Sequence, residues 1–178
     1  MFQQYDLIIF DFDGTIADLG VDWVKLKEEL SEQYKAKVEY LDAFLDALPE
    51  GQKKEAYTKV MQYELKGVDN MVPIVNTINI IRSLSGKTLA IFTTNTKAAI
   101  EKALEMLDMS NVFDIKVFKE DVVRHKPDPE GIELILKKTG FSPEQTIYIG
   151  DKQNDVDGGT RAGVRTILVS ELQHEKVE

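Results

Sequence analysis

The sequence contains no cysteine, which excludes disulfides, zinc–thiolate sites and thiol nucleophiles. Histidine is almost as scarce. His125 and His174 are the only two, with no metal-binding spacing between them, and His125 is read as a bystander beside Lys126. Basic residues number 22 against 31 acidic ones, a formal net charge of -9. That balance opposes nonspecific nucleic-acid binding, which is driven by displacing counterions from phosphates. No stretch approaches the roughly 20 apolar residues of a membrane span. Nor does the N-terminus show the basic, apolar and small-residue regions of a signal peptide. Internal repeats and low-complexity tracts are also missing. These absences point to a cytoplasmic protein that engages neither membrane nor nucleic acid, a monomer or weak dimer. Any phosphorylated ligand would need a local cation.

What is present suffices for a real core: 178 residues, 43% apolar and 30% charged, in one domain or one domain with an insert. Five short runs, 7–10, 88–93, 115–118, 146–149 and 165–169, are rich in β-branched and aromatic residues. "LIIF", "LAIF", "IYI" and "TILV" are apolar without alternation, as strands covered on both faces are. Helical patterns lie between the later runs. Ile100, Leu104 and Leu107 fall at helical spacing. "DPEGIELILKKTG" offers Asp128 as N-cap, Pro129 at the first helical position and Gly140 just beyond the end. Alternating strands and helices of this kind predict an α/β fold, Rossmann-like in its three layers around a parallel sheet.

From Leu19 to about Val72 the rhythm changes. The stripes Trp23/Leu26/Leu30/Tyr34, Leu41/Phe44/Leu45/Leu48 and Tyr57/Val60/Met61/Leu65 predict amphipathic helices, with Pro49-Glu50-Gly51 ending the second. Residues 18–72 are therefore expected to form a small helical subdomain inserted into a core of 1–17 and 73–178. Trp23 is read as a packing residue of that insert. "SGKT" at 85–88 is not a phosphate-binding P-loop, because Ile81 stands where the first glycine belongs and the segment opens a strand; it reads as a helix C-cap. The terminal "ELQHEKVE" reads as a polar, frayed tail.

In an open parallel sheet, ligands bind at the carboxyl ends of the strands. The first strand ends at Asp11, Asp13, Gly14 and Thr15, the second at Thr93, Thr94 and Asn95, and the fourth at Gly150 and Asp151, with Asp155 one helical turn on. Asp13-Gly14 between apolar runs is also a hairpin signal. Yet Asp11 and Asp13, two residues apart on extended chain, would point to one side and repel. Carboxylates gathered at one edge suit a hard cation with oxygen ligands, and Mg²⁺ fits because it binds a few carboxylates together with phosphate and water. One carboxylate could attack phosphorus while another moves the proton.

The series Asp-x-Asp-Gly-Thr at 11–15, Thr-Asn at 94–95, Lys-Pro-Asp-Pro at 126–129 and Gly-Asp-x-x-x-Asp at 150–155 resembles the four ordered motifs of the haloacid dehalogenase superfamily. "GGTRAGVRTILV" is similar to its phosphoglycolate phosphatase-like branch, and the insert resembles a short C1-type cap. The resemblance implies that Asp11 is the nucleophile forming an aspartyl-phosphate. Asp13 would protonate the leaving oxygen and then activate water, while its backbone carbonyl helps bind metal. Thr94 and Lys126 would hold the phosphoryl oxygens, with Asn95 nearby. Asp11, Asp13 and Asp151 would surround Mg²⁺, and Asp155 would join them or hold a coordinated water. Dehalogenases of the superfamily lack the second aspartate, so Asp13 favours phosphate chemistry.

The function expected is Mg²⁺-dependent hydrolysis of a small phosphorylated metabolite, a phosphate monoester. A phosphomutase of the same branch is the alternative, followed by a non-catalytic binding or regulatory protein.

Overall fold

The computed structural model describes residues 2–172. In chain order its elements are β1 (Leu7–Phe10), β2 (Ala17–Asp18), α1 (Trp23–Tyr34), α2 (Leu41–Ala47), α3 (Glu50–Val68), β3 (Val72–Pro73), α4 (Val75–Ser83), β4 (Thr88–Phe92), α5 (Lys97–Met106), β5 (Ile115–Val117), α6 (Glu130–Thr139), β6 (Thr146–Gly150), α7 (Gln153–Arg161), β7 (Arg165–Leu168) and α8 (Val169–Leu172). Of the tail expected to fray, only Glu171 and Leu172 are described, within α8; 173–178 lie outside the described residues.

Five strands form one sheet in the order β5-β4-β1-β6-β7, all parallel. β1 is central and wholly buried, pairing Leu7 with Thr88 on one side and Thr146 on the other. Its apolarity without alternation has a direct cause. Ile8 and Phe10 pack into a cluster with Ile78, Ile81 and Ile100 from α4 and α5. Leu7 and Ile9 face the opposite side, against Ile132 and Ile135 from α6. On each face, burying a large apolar side chain contributes roughly 1.5–3 kcal/mol. Successive strands β4 and β5 are added on one side of β1 and β6 and β7 on the other, so the crevice at its carboxyl end is the topological switch point.

The helices α1–α3 have a separate small core of Leu26, Leu30, Leu45, Ala56 and Val60, with Tyr34 edge-on to Phe44 at 5.7 Å. α3 belongs to both bodies, because Val68 near its end is buried in the main cluster. Gly67 permits this approach: a Cβ there would lie 2.7 Å from the Leu19 carbonyl oxygen. A two-stranded antiparallel ribbon, Ala17 opposite Pro73 and Asp18 opposite Val72, ties the ends of the insert together. Sequence patterning gave no sign of it, since two residues per strand carry no periodicity.

Two local expectations shift. α6 starts one residue later than its capping pattern suggested, with Pro129 at the N-cap, although the Asp128 carboxylate still accepts the Glu130 N–H at 3.0 Å. Gly86 is not the C-cap of α4, a place taken by Leu84; with φ +71° it forms the turn into β4.

Candidate active site

The ladder continues one residue past β1, the Asp11 N–H donating to Ile149 O at 2.8 Å, and then turns. Phe12 is buried and its carbonyl accepts from Thr15, Ile16 and Ala17. Gly14, at φ +80°, donates to Ala17 O at 2.9 Å. Asp13-Gly14 is therefore a turn, but not a β1–β2 hairpin, because β2 pairs with β3. The turn also clears space: a Cβ on Gly14 would sit 2.3 Å from Asp151 Oδ2. Asp11 and Asp13 line a common cavity, Asp11 buried and Asp13 half-buried with Oδ1 accepting the Leu19 N–H at 3.0 Å.

Lys126 stands between two carboxylates, its Nζ 2.9 Å from Asp11 Oδ1 and 2.8 Å from Asp155 Oδ1. It lies over the rings of Phe92 and Tyr148, at 4.8 and 5.4 Å from their centroids. Burial pushes the Asp11 carboxyl up to about 7, against the opposing pull of Lys126. For Asp155 burial acts upward too and is the largest single influence, yet Lys126 together with the Tyr148 hydroxyl and the Lys152 N–H outweighs it and holds this carboxyl below its ordinary value. Lys126 resists the downward push of its own burial because Asp11 and Asp155 face it, and its pKa is raised. Asp13 and Asp151 are both pushed up by burial.

Oxygens of Asp11, Asp151 and Asp155 lie within 4.8 Å of one another. Asp151 Oδ1 is buried without a hydrogen-bond partner, and a carboxylate oxygen so placed is costly unless a cation meets it. This orphaned oxygen beside Asp11 fits a hard metal ion with oxygen ligands. Asp155 differs. Its Oδ1 accepts from Lys126 and from Tyr148 OH at 2.6 Å, and its Oδ2 from the backbone N–H groups of Asp151 and Lys152 at 3.1 and 3.0 Å. Four donors already occupy it, so it braces the Asp151–Lys152 loop more than it presents a free ligand. The Asp13 carboxylate lies outside the cluster of three.

At the end of β4, Thr94 is the threonine that lines the cavity, while Thr93 is fully buried. Asn95 also borders the cavity, but its side chain is engaged elsewhere: Nδ2 donates to Glu64 Oε1 at 2.9 Å and Oδ1 accepts from Thr93 at 2.8 Å. The cavity measures about 260 Å³ and has a roof from the insert, where Trp23, Lys27, Leu41, Asp42 and Glu64 face it. Trp23 combines two roles, packing on the small helical core and lining the cavity.

Sequence reasoning missed Glu64, Lys119, Lys152 and Tyr148. Lys119, 2% exposed, pairs with Asp42 of α2. His125 is no bystander to the architecture, since its Nδ1 meets Asp46 Oδ1 of α2 at 2.9 Å and ties the core to the insert. No local pattern marks these contacts, whose partners are 77 and 79 residues apart. Tyr148 did have a signal, a phenol in an otherwise apolar buried strand, where a hydroxyl requires a partner.

Comparison with known proteins agrees with this geometry. The chain is 27% identical over 182 residues to the pyrophosphatase PpaX of Bacillus mycoides, covering 94% of this chain and 85% of that one. Among solved structures, a Lactobacillus plantarum protein carrying the provisional name phosphoglycolate phosphatase superposes with a TM-score of 0.77 at 17% identity, over 99% of this chain and 94% of that one. CbbY from Rhodobacter sphaeroides, solved with phosphate, gives 0.69 at 23% identity, over 92% and 85%. The model of the haloacid dehalogenase-like hydrolases matches residues 8–169, which include all four motifs and the whole sheet except Leu7, and the chain belongs to that family.

Proposed function

We propose that this phosphatase hydrolyses a small phosphate monoester through an aspartyl-phosphate on Asp11, with Mg²⁺ as its metal. The observation that carries the reading is the switch-point constellation: Asp11 paired with Lys126, Asp13 on the same cavity, and the unpartnered Asp151 oxygen beside them. Asp11 attacks phosphorus while the ester oxygen leaves with a proton from Asp13. Asp13 then takes a proton from water, which attacks the acyl phosphate and restores the Asp11 carboxylate. A pKa raised by burial suits Asp13 to carrying that proton. Lys126 favours the ionised form of Asp11 and neutralises the transferred group, and Thr94 donates to a phosphoryl oxygen.

Asp11, Asp151 and the Asp13 backbone carbonyl would hold Mg²⁺, with Asp155 behind them. The ion supplies charge neutralisation to the phosphoryl oxygens, the main requirement of this chemistry. Residues 18–72 act as a short cap that shields the cavity from water during the first step.

A second reading extends the substrate to a phosphoanhydride, as the name of the PpaX relatives suggests. Lys27 and Lys152 on the cavity wall favour it, because they could neutralise a second phosphoryl group. A panel of phosphorylated metabolites and inorganic pyrophosphate, assayed with Mg²⁺, separates the readings. Phosphate released by the unaltered chain and lost by about 10⁴-fold in Asp11→Asn is the expected result. Unimpaired turnover by that variant refutes the mechanism, and an isomerised sugar phosphate in place of free phosphate identifies a mutase.

A further inference from the structure

The loop that presents Thr94 is held by the insert as well as by the sheet. Glu64 of α3 is fully buried, and its carboxylate accepts Asn95 Nδ2 at 2.9 Å, the Thr96 N–H at 2.8 Å and the Thr96 hydroxyl. On the other side of Thr94, the Thr93 hydroxyl donates to Asn95 Oδ1 at 2.8 Å and accepts the Asn95 N–H at 3.2 Å. Both neighbours of Thr94 are therefore fixed, and one carboxylate from 31 residues earlier in the chain closes the network. α3 itself is not free to slide. Val68 sits in the main core, Lys102 Nζ donates to Leu65 O at 3.3 Å and pairs with Asp69, and Gly67 abuts Leu19.

A buried carboxylate with three donors at one loop exceeds what packing needs. An apolar residue could fill that space without the desolvation cost. The expense is concentrated at the one loop that faces the substrate cavity from β4.

We infer that Glu64 is a positioning residue for the phosphoryl site: it sets the Thr93–Thr96 loop so that Thr94 meets the phosphoryl group, and so makes placement of that donor depend on seating of the insert helix α3. The inference rests on the proposed role of Thr94 and deepens it. A catalytic donor displaced by about 1 Å can cost about 10²-fold in rate. Glu64→Gln keeps the shape and an acceptor for Thr96, but turns an acceptor for Asn95 into a second donor. Thr96→Val removes a hydroxyl donor without touching the cap.

The test is a double-mutant cycle between Glu64→Gln and Thr94→Val, with Thr96→Val as a milder second entry to the same network, and thermal unfolding to establish that each variant folds. It is read both as kcat/KM on the best substrate and as the Kd of inorganic phosphate measured calorimetrically with Mg²⁺. Glu64→Gln is expected to lower kcat/KM about 10²-fold alone and less than about 3-fold when Thr94 is already valine, with the same coupling in phosphate affinity. Effects that multiply independently in both readouts overturn the inference, as does a folded Glu64→Gln variant with unaltered kinetics. Coupling in phosphate binding without turnover by the unaltered chain would keep the inference and remove the hydrolytic reading.

Discussion

Replacing Lys126 by methionine tests whether charge balance holds the site together. The lysine is the single cation within hydrogen-bond reach of both Asp11 and Asp155 among the described residues, and their side chains are only 10% and 2% exposed. Methionine fills similar volume over Phe92 and Tyr148 but carries no charge. Stranding a buried partner costs about 3–5 kcal/mol. The carboxylates can escape by binding protons, and the cost of that escape depends on pH. Relative to an ordinary value of 3.8, it is about 1.6 kcal/mol at pH 5 and about 5.7 at pH 8, at about 1.36 kcal/mol per unit. Asp11, already pushed up to about 7, binds its proton readily, so the main loss falls on Asp155. With Lys126 present, Asp155 has a depressed folded pKa and contributes stability above its unfolded value that is lost as pH falls through the folded one. Without Lys126, burial, the largest influence on Asp155, is opposed only by the Tyr148 hydroxyl and the Asp151 and Lys152 N–H groups, so the sign reverses and stability is lost as pH rises. The deficit of Lys126→Met should grow from about 1–2 kcal/mol at pH 5 to about 3–5 at pH 8, measured by urea unfolding in chelator. A deficit under about 1 kcal/mol at pH 8, or one equal at both pH values, refutes the reasoning.

Gly14→Ala combines a positive φ with a Cβ 2.3 Å from Asp151 Oδ2, so it should displace that carboxylate and raise the Mg²⁺ concentration for half-maximal activity about tenfold or more, read from a metal titration of turnover. Tyr148→Phe removes a 2.6 Å hydrogen bond to the charged Asp155; denaturant unfolding should show a loss of about 1.5–3 kcal/mol, with a smaller change in kcat than Asp11→Asn gives. Chelation should abolish turnover and Mg²⁺ restore it, and full activity after exhaustive chelation would dismiss the metal role assigned to Asp151.

The sheet was legible in the sequence because both faces of each inner strand are apolar, a pattern that needs no tertiary information. "LIIF" must be covered on both sides, and it is, by α4 and α5 on one and α6 on the other. The carboxyl-end residues followed from that sheet alone, since Asp11, Thr94 and Asp151 leave adjacent strands at one edge. Residue type then separated poorly between neighbours with different work. Asp151 and Asp155 share a motif, but an unpartnered oxygen on one and four donors on the other are facts of packing, not of spacing.

The insert resisted reading for a related reason. Its stripes of Leu, Phe and Tyr announce helices and a small core, and α1–α3 have both. Glu64, however, falls on the same stretch as Val60 and Val68 and breaks the apolar face there, a glutamate where the helix is otherwise sealed. A buried carboxylate demands compensation, so such an interruption is evidence that donors wait on the opposing surface. Sequence alone does not name those donors, because Asn95 and Thr96 reach Glu64 only once the sheet has brought the end of β4 beneath α3. Lys119 carries no such signal, because it opens the short turn 119–121, yet it too is a buried charge whose partner, Asp42, belongs to the insert. Buried charges such as Glu64 and Lys119 thus mark where two bodies of the fold meet, and here that meeting line is the wall of the cavity.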